Sequence, residues 1–314
     1  MGSVHARAWG KRLAAVCSSD PRKLSGDLSA VRGNLEGAGG TLDFSGVKAY
    51  SEIGPVLADP DIDAVDLCLP TDLHETVATQ ALRAGKHVLV EKPIAPNGAA
   101  ARRMIAEATR HGRVLMAAQV LRFMPEYTAL RGALPKLGGV RRAEFHRRCS
   151  APGWGGWLLD PARSGGGIFD LLIHDVDMCL HLFGAPSSVA ATGLGELIRA
   201  QLFYRDGMIA DVSGGWEPAA AYPFRMEYRV SGEGGVIEYS SAGRVPTLYT
   251  AEEQALSMEC RDGYAAEIGY FSECCEGGRK PDLCPPEESA QAVDLIRLLL
   301  EARYRHGEKI PCNL

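Results

Sequence analysis

The chain has no long hydrophobic run, no apolar segment near its start and no excess of basic residues. None of its apolar stretches approaches the ~18–20 residues that a membrane-spanning helix needs, and residues 1–7 contain no signal-peptide core. The formal net charge is −5, which does not favour binding to nucleic acid. From these absences we expect a cytoplasmic protein that acts without a membrane or a nucleic acid.

Paired cysteines are also missing. The nine cysteines are scattered, and none forms a Cys-x-x-Cys pair. Cys274, Cys275 and Cys284 lie near one another in the chain, but no fourth ligand completes a tetrahedral metal site. Scattered, odd-numbered cysteines are typical of reduced thiols inside a cell. We therefore predict reduced cysteines and no metal site.

What the chain does have is enough length for two domains, with 314 residues. Up to about residue 120, buried strands alternate with helices, which indicates a parallel sheet. Later strands follow one another directly, which indicates an antiparallel or mixed sheet; they are expected near 188–197, 200–206, 207–216, 224–231 and 234–240. The predicted fold is α/β, with a Rossmann-like parallel-sheet domain at 1–120 and an α+β domain with a large, mostly antiparallel sheet at 121–314.

Three glycines precede the most informative pair of residues. Asp170 and His174 follow Gly165–Gly167 in a predicted helix that runs to Phe183, and residues four apart lie on one helix face. An imidazole titrates near neutral pH, and a neighbouring carboxylate can orient it. The pair therefore suits proton transfer to or from a hydroxyl group; the alternative is a buried histidine satisfied by a nearby carboxylate.

A second motif lies earlier in the chain. The stretch Lys86–Pro93 reads as a short apolar strand that ends in Glu91-Lys92-Pro93. Together with Gly165–His174 it resembles the Gfo/Idh/MocA family of nicotinamide-dependent oxidoreductases, whose glucose–fructose oxidoreductases and inositol dehydrogenases act on sugars and polyols. The resemblance covers nearly the whole chain. It implies hydride transfer between the nicotinamide of NAD or NADP and a carbinol or keto carbon of a sugar, polyol or related cyclic alcohol.

The resemblance also implies roles at the reacting centre. His174 would move the hydroxyl proton, and Asp170 would hold the imidazole or share in substrate binding. Lys92 would stabilise negative charge on the substrate oxygen. Trp157, in a glycine-rich loop with Trp154, would form a wall for a sugar ring or simply pack over the sheet. Lys92, Asp170 and His174 are thus the expected catalytic residues and, with Trp157, the expected substrate-binding residues.

The cofactor site implied by the resemblance comes from four segments. They are Gly2 and Ser3 at the first helix, Ser18, Ser19 and Arg22 after a strand, the loop residues Leu69, Pro70, Thr71 and His74, and the turn Glu91, Lys92 and Pro93. No acidic residue directly ends the second strand of the fold, so NADP is favoured slightly over NAD. In the alternative interpretations, Arg22 is only an exposed residue on a helix surface, and His74 caps the next helix or packs against it.

A dinucleotide-binding domain normally opens with a strand that leads into Gly-x-Gly-x-x-Gly, and this chain shows no such opening. In the family, Gly2 would match the third glycine. Three explanations stand: Met1 is an internal methionine and the start is misassigned, the chain was shortened and lost tight cofactor binding, or another chain or segment fills the place of the strand. The first is favoured, because the residues that begin and end the other strands and helices of the domain are all present.

Two other functions stay open from the sequence. The chain could be a cofactor-deficient, non-catalytic family member that acts as a binding or regulatory protein. It could also hold NAD tightly and use transient oxidation to eliminate a glycoside. In the family the second-domain sheet commonly mediates assembly, so the resemblance further implies a homodimer or homotetramer.

Overall fold

The computed structural model describes residues 1–33, 39–153 and 156–314. In its N-terminal part, helices and strands alternate. They are α1 (Gly2–Trp9), β1 (Ala15–Cys17), α2 (Pro21–Leu24), β2 (Lys48–Tyr50), α3 (Ile53–Ala58), β3 (Ala64–Leu67), α4 (His74–Arg83), β4 (His87–Glu91), α5 (Gly98–His111) and β5 (Leu115–Ala118). All strand pairs here are parallel, which confirms the predicted Rossmann-like arrangement.

These parallel strands form two sheets rather than one. β1 pairs with β2, and β3, β4 and β5 form a second sheet in that order. In a doubly wound sheet of order 3-2-1-4-5-6, strand 1 joins the pair 3-2 to the trio 4-5-6. Within the described residues no strand pairs with the second edge of β1 or of β3. A strand placed between β1 and β3 would therefore join the two sheets.

The C-terminal part is built on a large sheet. Its elements are α6 (Pro125–Ala133), β6 (Val140–Ser150), α7 (Pro161–Ser164), α8 (Ile173–Phe183), β7 (Ser188–Leu194), β8 (Leu197–Phe203), β9 (Ile209–Glu217), β10 (Arg225–Gly232), β11 (Gly235–Ser240), β12 (Arg244–Tyr249), β13 (Glu253–Ala255), α9 (Gly263–Glu276), α10 (Pro286–Tyr304) and β14 (Ile310–Pro311). The nine strands lie in the order β13-β12-β11-β10-β6-β9-β8-β7-β14. Among the described strands of this sheet, β6 and β9 alone pair in parallel, so the predicted, mostly antiparallel sheet is confirmed.

One face of this sheet carries the core, and the other is open. Along β6, the buried Ala143, Phe145 and Arg147 alternate with the less buried Glu144 and His146. Such alternation is expected when helices cover one side of an antiparallel sheet, and α6, α8 and α10 contact it here. α10 also packs against α5 of the N-terminal part, and the boundary at residue 120 stays a prediction. No helix in the described part of the chain is long and apolar enough to cross a bilayer.

The segment after the three glycines departs from the prediction of one helix from Gly165 to Phe183. Gly165 and Gly166 have positive φ angles of 81° and 79°, a π turn covers Ile168–Leu172, and α8 begins only at Ile173. A Cβ on Gly165 would lie 2.6 Å from the Phe169 ring, so a side chain there has no room. The glycines therefore set an irregular entry into the helix, and the regular helix starts one turn before Val176.

Candidate functional site

Two loops at the carboxyl ends of β3 and β4 meet through His74. Its Nδ1 lies 3.0 Å from the Pro93 carbonyl oxygen and its Nε2 lies 2.9 Å from the Leu69 carbonyl oxygen. Burial lowers the pKa of His74, and a neutral ring can donate to only one of the two carbonyls. Thr71, in the same loop, is 3 % exposed. His74 thus holds the loops together, while its contact with a cofactor stays a prediction.

Lys92 reaches across from the turn after β4 to the segment after the glycines. Its ammonium group lies 2.9 Å from Asp170 Oδ1 and 2.7 Å from the Asp170 backbone oxygen. The two side chains are 14 % and 19 % exposed, and the Lys92–Pro93 peptide bond is cis. The structure therefore brings together two of the three predicted catalytic residues from opposite parts of the chain. A partly desolvated cation in this position can stabilise negative charge on an oxygen atom.

Asp170 is held by Trp216 as well as by Lys92. The indole N–H of Trp216 donates to Asp170 Oδ2 at 3.3 Å, so both carboxylate oxygens have partners. The expected bond between Asp170 and His174 is absent from the described residues. Asp170 lies in the π turn, where the backbone closes from i to i+5, so the stacking expected for residues four apart in a regular helix does not apply. Contact of Asp170 with the substrate stays a prediction.

His174 is half-buried at the start of α8, and its Nδ1 is a buried atom with no hydrogen-bond partner in the part of the chain that the structure describes. Burial, and then the positive charges of Lys92 and Arg147, hold the pKa of His174 well below its usual 6.5. The ring is therefore neutral at physiological pH. A neutral imidazole can accept a proton, and a depressed pKa lets it return that proton readily.

The two aspartates that follow His174 are bound to arginines and not to the imidazole. Arg147 donates to both oxygens of Asp175 at 2.9 Å. Arg122 donates to Asp177 at 2.8 and 2.6 Å. All four side chains are at most 3 % exposed. The alternative prediction, a histidine satisfied by a neighbouring carboxylate, is therefore wrong for Nδ1 of His174.

Two residues that sequence reasoning missed position this segment. Glu196 accepts a hydrogen bond from the Gly167 N–H at 2.6 Å, and Trp216 binds Asp170. A Cβ on Gly167 would lie 2.6 Å from Trp216, and one on Gly215 would lie 1.7 Å from the Glu196 carbonyl oxygen. Glycine inside a strand marks close backbone approach, so the Gly214-Gly215-Trp216 run was the signal that could have indicated this packing.

The expected adenosine-side residues lie near the surface after β1. The Ser18 hydroxyl accepts a hydrogen bond from the Asp20 N–H at 3.2 Å. Asp20 caps α2 and pairs with Arg22 at 3.1 Å. Arg22 therefore already has a carboxylate partner, with which a cofactor phosphate would have to compete. Contacts of Ser18, Ser19 and Arg22 with a cofactor stay predictions.

The start of α1 lies beside the carboxyl end of β3. Gly2 opens the helix, and a Cβ there would lie 3.5 Å from Cys68 Cβ; Ser3 is 8 % exposed. A helix N-terminus at the carboxyl ends of parallel strands is suited to a phosphate group. The residues present thus fit the dinucleotide that the fold implies. The start of α1 would face its phosphates, and the loops after β3 and β4, which His74 joins, would face its nicotinamide end.

The loop with the two tryptophans is described only in part. Trp157 is half-buried, and its carbonyl oxygen accepts a hydrogen bond from the Asp160 N–H at 3.2 Å. The adjacent Leu158 packs against the cluster that contains Trp216. Trp154 lies outside the described residues. A role for Trp157 as a wall for the substrate stays a prediction.

Comparison with known proteins decides the family. A model of the GFO/IDH/MocA oxidoreductase family, NAD-binding Rossmann fold, matches residues 1–119, and a GFO/IDH/MocA C-terminal domain model matches residues 135–238. This chain belongs to the GFO/IDH/MocA family. It is an NAD(P)-dependent oxidoreductase. The comparisons favour a dehydrogenase or reductase over the non-catalytic protein and over the glycoside-eliminating enzyme considered from the sequence.

Named relatives agree over most of the chain. The 1,5-anhydro-D-fructose reductase of Ensifer adhaerens is 28% identical over 74% of this chain and 75% of its own length. The UDP-N-acetylglucosamine 3-dehydrogenase of Acidithiobacillus ferrooxidans is 30% identical over 71% of this chain and 73% of its own length. A solved levoglucosan dehydrogenase in complex with NADH and levoglucosan has a TM-score of 0.82 at 17% identity, and covers 100% of this chain and 97% of that one. This last likeness shows the shared fold.

Proposed function

We propose that this oxidoreductase acts on a carbinol or keto carbon of a sugar, polyol or related cyclic alcohol. The observation that carries the proposal is the Lys92–Asp170 ion pair at 2.9 Å, which joins the two motifs at the meeting point of the two parts of the chain. Relatives named as a sugar-derivative reductase and a sugar-nucleotide dehydrogenase support the substrate class.

The residues of the chain have separate tasks in this proposal. Lys92 holds the substrate oxygen and stabilises the charge that develops on it, because its ammonium group is partly withdrawn from water. Asp170 and Trp216 fix the position of that ammonium group. His174, neutral at physiological pH, takes the hydroxyl proton on oxidation and returns it on reduction. When bound, the nicotinamide ring supplies the redox chemistry.

NADP is the favoured cofactor in the proposal, with NAD as the second choice. The support is the absence of an acidic residue directly after β1 and the presence of Arg22 close by. Because Arg22 is paired with Asp20, the preference is expected to be small. Arg22→Ala should therefore weaken NADP binding and leave NAD binding unchanged, and a calorimetric titration with both dinucleotides measures this.

The deciding experiment is calorimetry followed by turnover with a panel of sugars, polyols and cyclic alcohols. We expect binding of at least one dinucleotide, and reduction of that dinucleotide by at least one panel member. The His174→Ala variant should keep cofactor binding and lose turnover, and the Lys92→Ala variant should lose turnover. Binding without any turnover across the panel would contradict the substrate class, and failure to bind either dinucleotide would make the non-catalytic alternative the leading one.

We also propose a homodimer or homotetramer assembled through the open face of the nine-stranded sheet. That face carries charges of both signs in a connected set: Arg229 lies 3.2 Å from Glu144 and 3.2 Å from Glu238. Such a surface can complement a second copy of itself across a two-fold axis. Light scattering coupled to gel filtration measures the mass, and a monomer would contradict the proposal.

All nine cysteines are free thiols, which supports a cytoplasmic location.

A further inference from the structure

Three metal-ligating side chains that no single motif contains meet beside the carboxyl ends of the parallel strands. A ring nitrogen of His5, the thiol sulfur of Cys68 and a carboxylate oxygen of Glu91 all lie within 4.8 Å of one another. His5 comes from α1, Cys68 directly follows β3, and Glu91 ends β4. His5 and Glu91 are 2 % and 7 % exposed. Nitrogen, sulfur and oxygen donors are therefore gathered in a largely buried place.

Asp66 fixes the orientation of the His5 ring. The Nδ1 of His5 lies 2.8 Å from Asp66 Oδ2, and Trp9 donates its indole N–H to the same oxygen at 2.7 Å. Because a carboxylate can only accept, Nδ1 donates to Asp66, and Nε2, which lies 3.1 Å from Glu91 Oε1, is the nitrogen that a metal ion can bind once its proton is released. Carboxylate–histidine pairs of this kind orient the histidines that bind metals in proteins. Nε2 is thus the ligand atom, and it points away from Asp66.

The atoms on that side of the ring lack partners. Nε2 lies 3.1 Å from Glu91 Oε1, but the contact is outside hydrogen-bond geometry, and Nε2 has no hydrogen-bond partner in the described residues. Within the same residues, both carboxylate oxygens of Glu267 are buried without a partner, and this residue is 0 % exposed. Buried polar atoms left unpaired cost free energy, so a metal ion bound between these groups would remove part of that cost.

Glu267 lies on the neighbouring helix α9, outside the group of three. It lies three residues after Tyr264 on α9, hence on the same helix face, and the Tyr264 ring is 6.0 Å from the His5 ring. Burial raises the pKa of Glu267 well above its usual range, and the charges of His5 and Glu91 act on it as well. A buried carboxyl group without a partner in the described residues therefore lies on the helix that packs against α1.

We propose that His5 Nε2, Cys68 Sγ and the Glu91 carboxylate bind one divalent cation of the zinc class, with Glu267 as the candidate for a fourth ligand. Mixed nitrogen, sulfur and oxygen ligands suit zinc, whereas magnesium and calcium prefer oxygen alone. Binding releases to solvent the thiol proton of Cys68 and the protons held by His5 Nε2 and Glu267, since the deprotonated groups are the ligands. The ion joins α1, β3, β4 and α9, and so stabilises the region that carries the cofactor loops.

The experiment uses the full chain, freed of metal with a chelator and titrated with Zn²⁺ and with Co²⁺. We expect one equivalent of Zn²⁺ by calorimetry and a rise in the thermal unfolding midpoint. With Co²⁺ we expect the near-ultraviolet charge-transfer band of a cobalt–thiolate bond. Absence of stoichiometric Zn²⁺ binding, or a Co²⁺ complex without a thiolate band, would overturn the proposal.

Variants locate the ion. Cys68→Ser should abolish the thiolate band, Glu267→Gln should weaken Zn²⁺ binding, and Asp66→Asn should weaken it by about 10–100-fold as a partner of the ligand histidine. Cys17→Ser, at an exposed cysteine, is the matched control and should bind as the parent does. A band that persists in Cys68→Ser or disappears in Cys17→Ser places the metal elsewhere and refutes the site; circular dichroism shows which variants are folded.

Discussion

Three aspartates in the short stretch from Asp170 to Asp177 are each paired with a cation, but the pairs differ between its two ends. At the C-terminal end, Asp175 and Asp177 are bound by arginine forks and are almost completely buried. At the N-terminal end, Asp170 is bound by the single ammonium group of Lys92, and both side chains keep some exposure. The arginine pairs lie inside the core, and the lysine pair lies where the two parts of the chain meet.

The difference follows from the chemistry of the two cations. A guanidinium group forms two parallel hydrogen bonds to a carboxylate and holds a fixed geometry, whereas an ammonium group is a compact charge on a flexible stem. The arginine pairs therefore suit positions that must not move. Lys92 can turn from Asp170 toward a substrate oxygen while it keeps its charge. His174 lies between the two kinds of pair in the sequence.

The largest expected effect is on stability, at the buried end. Arg147→Met leaves Asp175 buried without its counter-ion, and loss of one partner of a buried ion pair costs about 3–5 kcal/mol. Chemical denaturation measures the free energy of unfolding. The matched control is Arg148→Met, because Arg148 points to the other sheet face and is 33 % exposed beside Glu217. Equal losses in the two variants would contradict the distinction between the faces.

The next effect is on turnover, at the exposed end. Lys92→Met removes the cation that stabilises the substrate oxygen, so turnover should fall by about 10²–10³-fold, while the free energy of unfolding changes by about 1 kcal/mol. Steady-state kinetics on an accepted substrate and denaturation together measure the two effects. Lys136→Met, at an exposed lysine, controls for loss of a lysine. A loss of stability as large as that of Arg147→Met would show that Lys92 is a structural residue.

Much of this architecture could be predicted from local sequence patterns. The alternation of strands and helices predicted the parallel sheets. Each strand could be recognised locally, because a short apolar run such as β4 is bounded by residues that end a strand. The Glu91-Lys92-Pro93 turn and the Gly165–Gly167 run predicted the two halves of the candidate site. Each of these signals lies within one short stretch, so no knowledge of distant contacts was needed.

What could not be predicted depends on contacts between distant stretches. The π turn that carries Asp170 exists because Glu196 and Trp216 reach it from the sheet, and neither lies near the motif in sequence. For the same reason the expected Asp170–His174 bond is replaced by bonds to Lys92 and Trp216. The grouping of His5, Cys68 and Glu91 also comes from three separate elements, and no spacing rule finds it.

A smaller effect should follow from loosening Asp170 without removing it. Trp216→Phe keeps an aromatic ring but removes the hydrogen bond to Asp170 Oδ2, so the Lys92 ammonium group is held less firmly. We expect turnover to fall by about tenfold, or ~1.4 kcal/mol of activation free energy, with cofactor affinity unchanged. Kinetics and dinucleotide titration of the same samples measure both. If cofactor affinity falls in step with turnover, Trp216 supports the pocket in general and not Asp170 in particular.

The smallest effect concerns the pH dependence of stability, which tests how His174 is placed between the two ends. Burial and the charges of Lys92 and Arg147 lower the pKa of His174 in the folded protein, while the unfolded chain takes up a proton near pH 6.5. Below that pH the unfolded state binds more protons, so the free energy of unfolding falls as the pH falls. His174→Gln removes this contribution and should make the slope below pH 6.5 shallower, by at most about 1.4 kcal/mol per pH unit.

Denaturation between pH 5 and 8 measures the slopes, and His306→Gln, at a histidine exposed beyond the end of α10, is the control. Because other buried histidines add to the absolute slope, only the difference between the variants counts. Identical slopes for the parent chain and His174→Gln would mean that the imidazole gains a proton as easily in the folded state as in the unfolded one, and would contradict the lowered pKa.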